Sequence, residues 1–233
     1  MVNRDVELYV SNIQEEEFFR RFSSEEILKI TSESLFHQYQ KGQIIFFQED
    51  PNRYAYYLFK GLIKLEKMDE TGEFAYVDYI SDHTFFPYGE VLRDKTYTYT
   101  GYAQTDIDLM LIPQHIISDL VRENSEQLIY MYQQTTKIIR FLERRIQMTT
   151  IPNATQKVIH TLAIWMEDLS VERSGKRVIH YPMTISDLGV VAGTTRETAS
   201  RVVKMLTKEK RISMTRKSVE FLDVAYFQKI LDS

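Results

Sequence analysis

Apolar positions recur along this chain with two different periods, and the change of period divides it. Between His37 and Lys67, short apolar runs such as Ile44–Phe47, Tyr56–Phe59 and Leu62–Ile63 are separated by Gly42, Asp50-Pro51 and Gly61. Short runs bounded by turn residues predict β-strands with tight turns, a roll or a barrel. Gly42 and Gly61 are the residues expected to take positive φ in those turns. Glu70-Thr71-Gly72-Glu73 predicts a further hairpin turn before Phe74–Ile80. The aromatic load of this stretch (Phe46, Phe47, Tyr54, Tyr56, Tyr57 and Phe59) is expected as core and surface packing rather than as a ligand box.

From about Gln114 to Gln147 the period becomes helical. Leu128, Met131 or Tyr132, Thr135, Ile139, Leu142 and Ile146 approximate a heptad seam, while Lys137, Arg140, Glu143, Arg144 and Arg145 occupy the outer face. Such a stripe on a long helix predicts pairing with a second helix; packing only on the strand-rich part is the alternative. Pro152 disfavours helix at Ile151, and Asn153 can cap the next one, so a hinge is expected there. The following helix has apolar residues at 158, 159, 162, 165, 166 and 169, with Trp165 expected in a small core and His160 on the surface or packed.

The stretch from Thr184 to Arg201 predicts two short helices joined by a glycine turn. Thr184 caps the first, with Asp187 in the place of a capping box; Ile185, Leu188, Val191 and Ala192 face a core. Gly193 supplies the turn, and Thr194 or Thr195 caps the second helix. Ala199, Val202, Val203 and Leu206 form its buried stripe, leaving Arg196, Glu197, Ser200, Arg201 and Lys204 on the open face. This is a helix-turn-helix with a basic recognition helix, which points to double-stranded DNA as partner. An Arg fork can donate two hydrogen bonds to guanine O6 and N7, and a carboxylate can accept from cytosine N4. Arg201 lies five residues after Arg196, about 140° further round the helix, so the two can reach different base pairs. Thr195 and Ser200, with the amides at the helix start, suit phosphate contacts. The alternative is a solvated face on which Glu197 and Arg201 pair at i,i+4.

Charge is distributed to match. The formal net charge is −4, yet residues 152–233 hold 13 Lys and Arg against 9 Asp and Glu, and residues 196–217 hold 8 against 2. Positive potential is thus focused on the second helix and the segment just after it. No run approaches the ~18 apolar residues of a membrane span, so no membrane partner is expected. The start lacks a signal peptide's apolar core, and a cytoplasmic address is expected. The absence of cysteine excludes disulfides, thiolate metal sites and cysteine-ligated iron–sulfur clusters. His37, His83, His115, His160 and His180 show no ligand spacing, so no metal site is expected. No nucleophile–base motif, P-loop or GxGxxG appears, which argues against an enzyme.

Thr194–Arg201, followed by Val202-Val203-Lys204-Met205-Leu206, resembles the recognition helix of the Crp/Fnr family of bacterial transcription regulators. In its catabolite-activator branch, an Arg-Glu pair and a later Arg read a TGTGA-like half-site, a role that the resemblance gives to Arg196, Glu197 and Arg201. Residues 208–223 resemble the family's two-stranded wing, with Arg211 where the family usually has Gly. The front half resembles the cyclic-nucleotide-binding β-roll. There a Gly-Glu pair and a following Arg hold ribose and phosphate; Gly89-Glu90 matches the pair, but the Arg position falls near Tyr97. Tyr carries no charge for a cyclic phosphate. The candidate effector pocket is therefore Gly89, Glu90, Tyr97 and Thr98. No cofactor is expected. Cyclic AMP stays open as an alternative effector if Arg93 turns inward, as does haem on His83 or His37.

The resemblance implies an α+β chain: a sensor β-roll with N-terminal helices (1–113), a dimerisation helix and hinge (114–151), and a winged helix-turn-helix (152–233). It implies a homodimer with recognition helices roughly 34 Å apart on a near-palindrome, bending its DNA and contacting RNA polymerase. Residues 85–89 and 95–108 look most like the branch that controls the arginine deiminase pathway, which implies an activator of arginine catabolism genes.

Overall fold

The computed structural model describes residues 4–71, 75–92, 95–173 and 175–232. The chain divides into two compact units, Met1–Ile139 and Arg140–Ser233. The hairpin-turn residues Gly72 and Glu73, and Arg93, lie outside the described residues.

In the first unit, α1 (Arg4–Asn12), a single 3-10 turn (Ile13–Glu15) and α2 (Ser24–Glu33) precede the strands. The start of α2 is fixed by a capping box between Ser23 and Glu26. Eight strands follow: β1 (Leu35–Tyr39), β2 (Ile44–Phe46), β3 (Tyr54–Lys60), β4 (Leu62–Met68), β5 (Ala75–Ser81), β6 (Thr84–Phe86), β7 (Thr100–Ala103) and β8 (Ile107–Pro113). They form two four-stranded antiparallel sheets, ordered β1-β8-β3-β6 and β2-β7-β4-β5. Strand β3 is buried on both faces. Its period of two sends Tyr56 and Leu58 into one core with Phe46, Ile63, Phe86 and Leu109, and Ala55, Tyr57 and Phe59 into another with Phe18, Phe19, Phe85 and Ile117. Gly42 and Gly61 take φ of +89° and +100°, as the turn pattern predicts. At Gly61 a Cβ would come within 2.5 Å of the Asp106 carbonyl, so no other residue fits. Of the six aromatic residues assigned to packing, only Phe47 is exposed.

The helical stretch from Gln114 is not one helix. α3 (Gln114–Glu123) stops at Asn124, and α4 (Ser125–Thr149) begins after it. Asn124 makes the break: its Oδ1 accepts from the Gln127 amide at 2.9 Å, and its Nδ2 donates to the Arg21 carbonyl at 2.9 Å. The choice between Met131 and Tyr132 is settled by burial, since Met131 is 4% exposed and Tyr132 73%. The outward stripe is therefore Leu128, Tyr132, Thr135, Ile139, Leu142 and Ile146, with spacings of four and three residues.

The second unit continues with α5 (Ala154–Leu169), capped by Asn153 Oδ1 on the amides of Thr155 and Gln156. It adds β9 (Val171–Arg173), β10 (Lys176–Ile179), α6 (Ile185–Val191), α7 (Arg196–Lys208), β11 (Ile212–Met214), β12 (Val219–Phe221) and α8 (Val224–Leu231). The strands form one sheet in the order β11-β12-β10-β9, so the wing pair is half of a larger sheet. Trp165, Leu188, Val202, Leu206, Phe221 and Phe227 are buried. Among the described residues no helix is long and apolar enough to cross a membrane.

Candidate nucleic-acid interface

The helix-turn-helix is held by its ends. Thr184 and Asp187 form the expected capping box at the start of α6. Its far end is closed by two hydrogen bonds, Gly193 N–H to the Val190 carbonyl at 3.1 Å and Thr194 N–H to the Gly189 carbonyl at 2.9 Å. That is a Schellman motif with Gly193 in the left-handed region at φ +59°. Gly189 is a tight spot that local sequence does not reveal: a Cβ there would lie 3.2 Å from the Thr194 carbonyl oxygen and 3.3 Å from the Arg196 nitrogen, so the turn would have to give by a few tenths of an ångström.

Thr195 then caps α7, its hydroxyl accepting from the Thr198 amide at 3.2 Å and donating to Thr198 Oγ1 at 3.3 Å. The cap commits the Thr195 side chain, while the amides of Arg196 and Glu197 stay open at the positive end of the helix. Ala199, Val202, Val203 and Leu206 are buried, as their spacing predicts. Arg196, Glu197, Arg201 and Lys204 are exposed and Ser200 is half-buried. Among the described residues the Glu197 and Arg201 side chains make no ion pair with one another or with any other residue, so the i,i+4 alternative is not realised.

α7 also ends on a Schellman motif: Lys210 N–H donates to the Thr207 carbonyl at 3.0 Å and Arg211 N–H to the Leu206 carbonyl at 2.9 Å. The left-handed residue is Lys210, at φ +56°, so the position that favours glycine falls one residue before Arg211. Arg211 is a clamp at the base of the wing. Its guanidinium donates to Glu209 at 2.8 Å and Asp223 at 3.1 Å, and lies 3.7 Å over the Tyr226 ring. At the wing tip, Thr215 Oγ1 accepts the amides of Lys217 and Ser218, leaving Arg216 and Lys217 exposed. The β9–β10 hairpin and α8 carry weaker local signals, and the apolar periodicity does not predict them.

The candidate effector residues are only partly brought together. Glu90 is buried and its Oε1 accepts the Thr98 amide at 3.0 Å. The Glu90 carbonyl accepts from Asn52 Nδ2 at 3.2 Å and Gln114 Nε2 at 3.1 Å, two partners that the sequence does not reveal. Gly89 is exposed, with nothing within 4 Å of a built Cβ. Tyr97 is turned elsewhere. Its hydroxyl donates to the Tyr54 carbonyl at 2.9 Å, accepts the Tyr54 amide at 3.0 Å and meets the Tyr56 hydroxyl at 2.9 Å. Burial pushes the Tyr97 phenol up from its ordinary value. Its ring stacks on Phe46 at 4.3 Å, and Phe46 in turn covers Gly101, where a Cβ would lie 2.8 Å from the Phe46 ring.

His37 is exposed on β1 beside Tyr39, with ring centroids 4.5 Å apart. His83 Nδ1 lies 2.9 Å from Glu16 Oε1, in a turn at φ +57°. Among the described residues no group of three or more His, Asp or Glu is placed to hold a metal ion.

Two family models match this chain: a cyclic nucleotide-binding domain over residues 36–124 and a Crp-like helix-turn-helix domain over residues 156–230. The HTH-type transcriptional regulator ArcR of Staphylococcus haemolyticus is 24% identical over 181 residues, covering 78% of this chain and 79% of that protein. The global nitrogen regulator of a Nostoc species is 24% identical, covering 78% and 82%. Among solved structures, FixK2 from Bradyrhizobium japonicum superposes with a TM-score of 0.72 at 16% identity, over 84% of this chain and 96% of that one, a likeness of fold.

Proposed function

We propose, from the premise that the chain belongs to the Crp/Fnr family of helix-turn-helix transcription regulators, that it acts as a homodimer reading a TGTGA-like palindrome. Arg196 and Arg201 donate to guanine edges, Glu197 accepts from cytosine, and Ser200 and Lys204 hold the backbone. The observation that carries this reading is the face of α7: Arg196, Glu197, Arg201 and Lys204 stand exposed opposite a fully buried stripe. The amides at the Thr195 cap add an anion-binding end for a phosphate.

Dimerisation is supported by the uncovered stripe of α4. With Tyr132, Ile139 and Ile146 at a and Leu128, Thr135 and Leu142 at d, the pattern suits a parallel two-stranded pairing. The likeness of residues 85–89 and 95–108 to the arginine deiminase branch, with staphylococcal relatives named ArcR, supports a target in that pathway; an activating role rests on the resemblance alone.

Cyclic AMP is not needed in this reading. The hydroxyl of Tyr97 is engaged with Tyr54 and Tyr56, and it brings no cation to a cyclic phosphate. The test is fluorescence anisotropy on a labelled TGTGA-N6-TCACA duplex and a scrambled one, with and without cyclic AMP. Selective binding without nucleotide is the expected result. Equal binding to both duplexes overturns the assignment of Arg196, Glu197 and Arg201, and binding that requires cyclic AMP overturns the effector-free reading.

A further inference from the structure

Within the second unit, the last turns of α4, the outer face of α5 and the end of α8 enclose a cleft of about 530 Å³. That volume falls inside the roughly 300–1,000 Å³ typical of small-molecule sites. Its lining is mixed: Ile151, Ile159 and Ile230 come from three different segments, beside the polar groups of Gln156 and Tyr226. The one charged residue among those lining it is a cation, Arg144. Arg144 is paired with Glu167 through one of its nitrogens, and a guanidinium has five N–H donors, so the pair leaves donors over for a second carboxylate. Gln147 and His160 also line the cleft, and neither side chain has a hydrogen-bond partner among the described residues. Burial lowers the pKa of His160, which keeps it a neutral donor and acceptor.

The cleft and the apolar stripe of α4 do not compete for the same surface. With Leu142 at d and Ile146 at a, Arg144 and Gln147 fall at f and b, the positions that point away from a partner helix. A molecule seated there stays accessible in a dimer and touches α4, α5 and α8 together. We propose that this cleft is a binding site for a medium-chain alkyl carboxylate, its chain along Ile151, Ile159 and Ile230 and its head group on Arg144. The chemistry is that of isoleucine side chains beside a polar wall whose guanidinium, already sharing one nitrogen with Glu167, keeps further donors for a carboxylate. This site goes beyond the DNA-binding reading and does not depend on it.

The test is calorimetric titration of the full chain with decanoate and with decanol. Trp165 is the chain's only tryptophan and follows the lining residue Ile164, so its fluorescence gives a second readout. Decanoate is expected to saturate at one per chain below about 0.1 mM, and decanol to bind about tenfold more weakly. Arg144→Gln should abolish that preference while leaving decanol binding unchanged; Ile159→Phe, which fills the cleft, should weaken both. Each variant is checked for folding by its far-UV circular dichroism and its thermal midpoint. Absence of saturable binding, or decanoate binding to Arg144→Gln as to the parent chain, overturns the proposal. So does a decanoate-induced change of oligomeric state, which would mean that a second copy of the chain occupies the cleft.

Discussion

The exposed face of α7 and the interior of the β-roll both carry polar residues at positions a sequence would mark as functional, yet they manage those residues in opposite ways. On α7, Arg196, Glu197, Arg201 and Lys204 project into solvent, where water serves every donor and acceptor until a ligand replaces it. Inside the roll water is excluded, so polar groups must find partners within the chain. Tyr97 binds both backbone groups of Tyr54 and the hydroxyl of Tyr56, and Glu90 holds the Thr98 amide. A polar residue inside the roll is thus committed to internal architecture by the hydrogen bonds it already makes, whereas one exposed on α7 keeps its donors and acceptors open to a ligand.

The most forceful way to break that contrast is to open the roll. Phe46 stacks on both Tyr56 and Tyr97 and covers Gly101. Phe46→Ala removes a buried ring and leaves a cavity, at an expected cost of about 3–5 kcal/mol in the denaturant-derived stability. DNA selectivity of the molecules that remain folded should persist, because α7 lies in the other unit. A stability loss below about 1 kcal/mol would mean that the interior is not packed as described.

The next effect belongs to α7. Arg196→Ala and Arg201→Ala should each weaken binding to the TGTGA palindrome by about 1–3 kcal/mol and relax discrimination at one base pair, with stability changed by less than ~0.5 kcal/mol. The inverse pattern, a stability loss with unchanged affinity, would place these side chains in the fold rather than the interface. Together the two experiments separate a region whose polar groups serve the chain from one whose groups await a partner.

Legibility tracks distance along the chain. The capping box of Thr184 and Asp187, the Thr195 cap, the Gly193 turn and the buried stripe from Ala199 to Leu206 are interactions between residues a few positions apart, and all are readable. The turns at Gly42 and Gly61 are readable for the same reason. What escapes depends on remote partners. Tyr97 meets Tyr54 and Tyr56 across more than forty residues, and Gln114 reaches the Glu90 carbonyl from the start of α3. The break at Asn124 is masked because apolar residues continue at helical spacing on both sides, while a bond to the Arg21 carbonyl anchors it. Gly189 passes as an ordinary helix residue because only the returning chain at Thr194 crowds it.

The smallest predicted effect sharpens the contrast at a single backbone position. Left-handed turns in the roll fall to glycine at Gly42 and Gly61, whereas the turn that ends α7 falls to Lys210. A side chain there costs about 1 kcal/mol in backbone strain, against which glycine's greater freedom in the unfolded chain must be set. Lys210→Gly is therefore expected to stabilise the second unit by roughly 0.5–1 kcal/mol, read as a higher denaturant midpoint at unchanged m-value. The exposed ammonium lies in the basic stretch between α7 and the wing, so its loss should also flatten the salt dependence of DNA binding by at most about one unit. A gain in stability together with a shallower salt slope would show that the charge is kept there at the expense of the backbone. A gain in stability with an unaltered slope would confine Lys210 to ending the helix and leave the DNA contacts to Arg196, Arg201 and the wing tip.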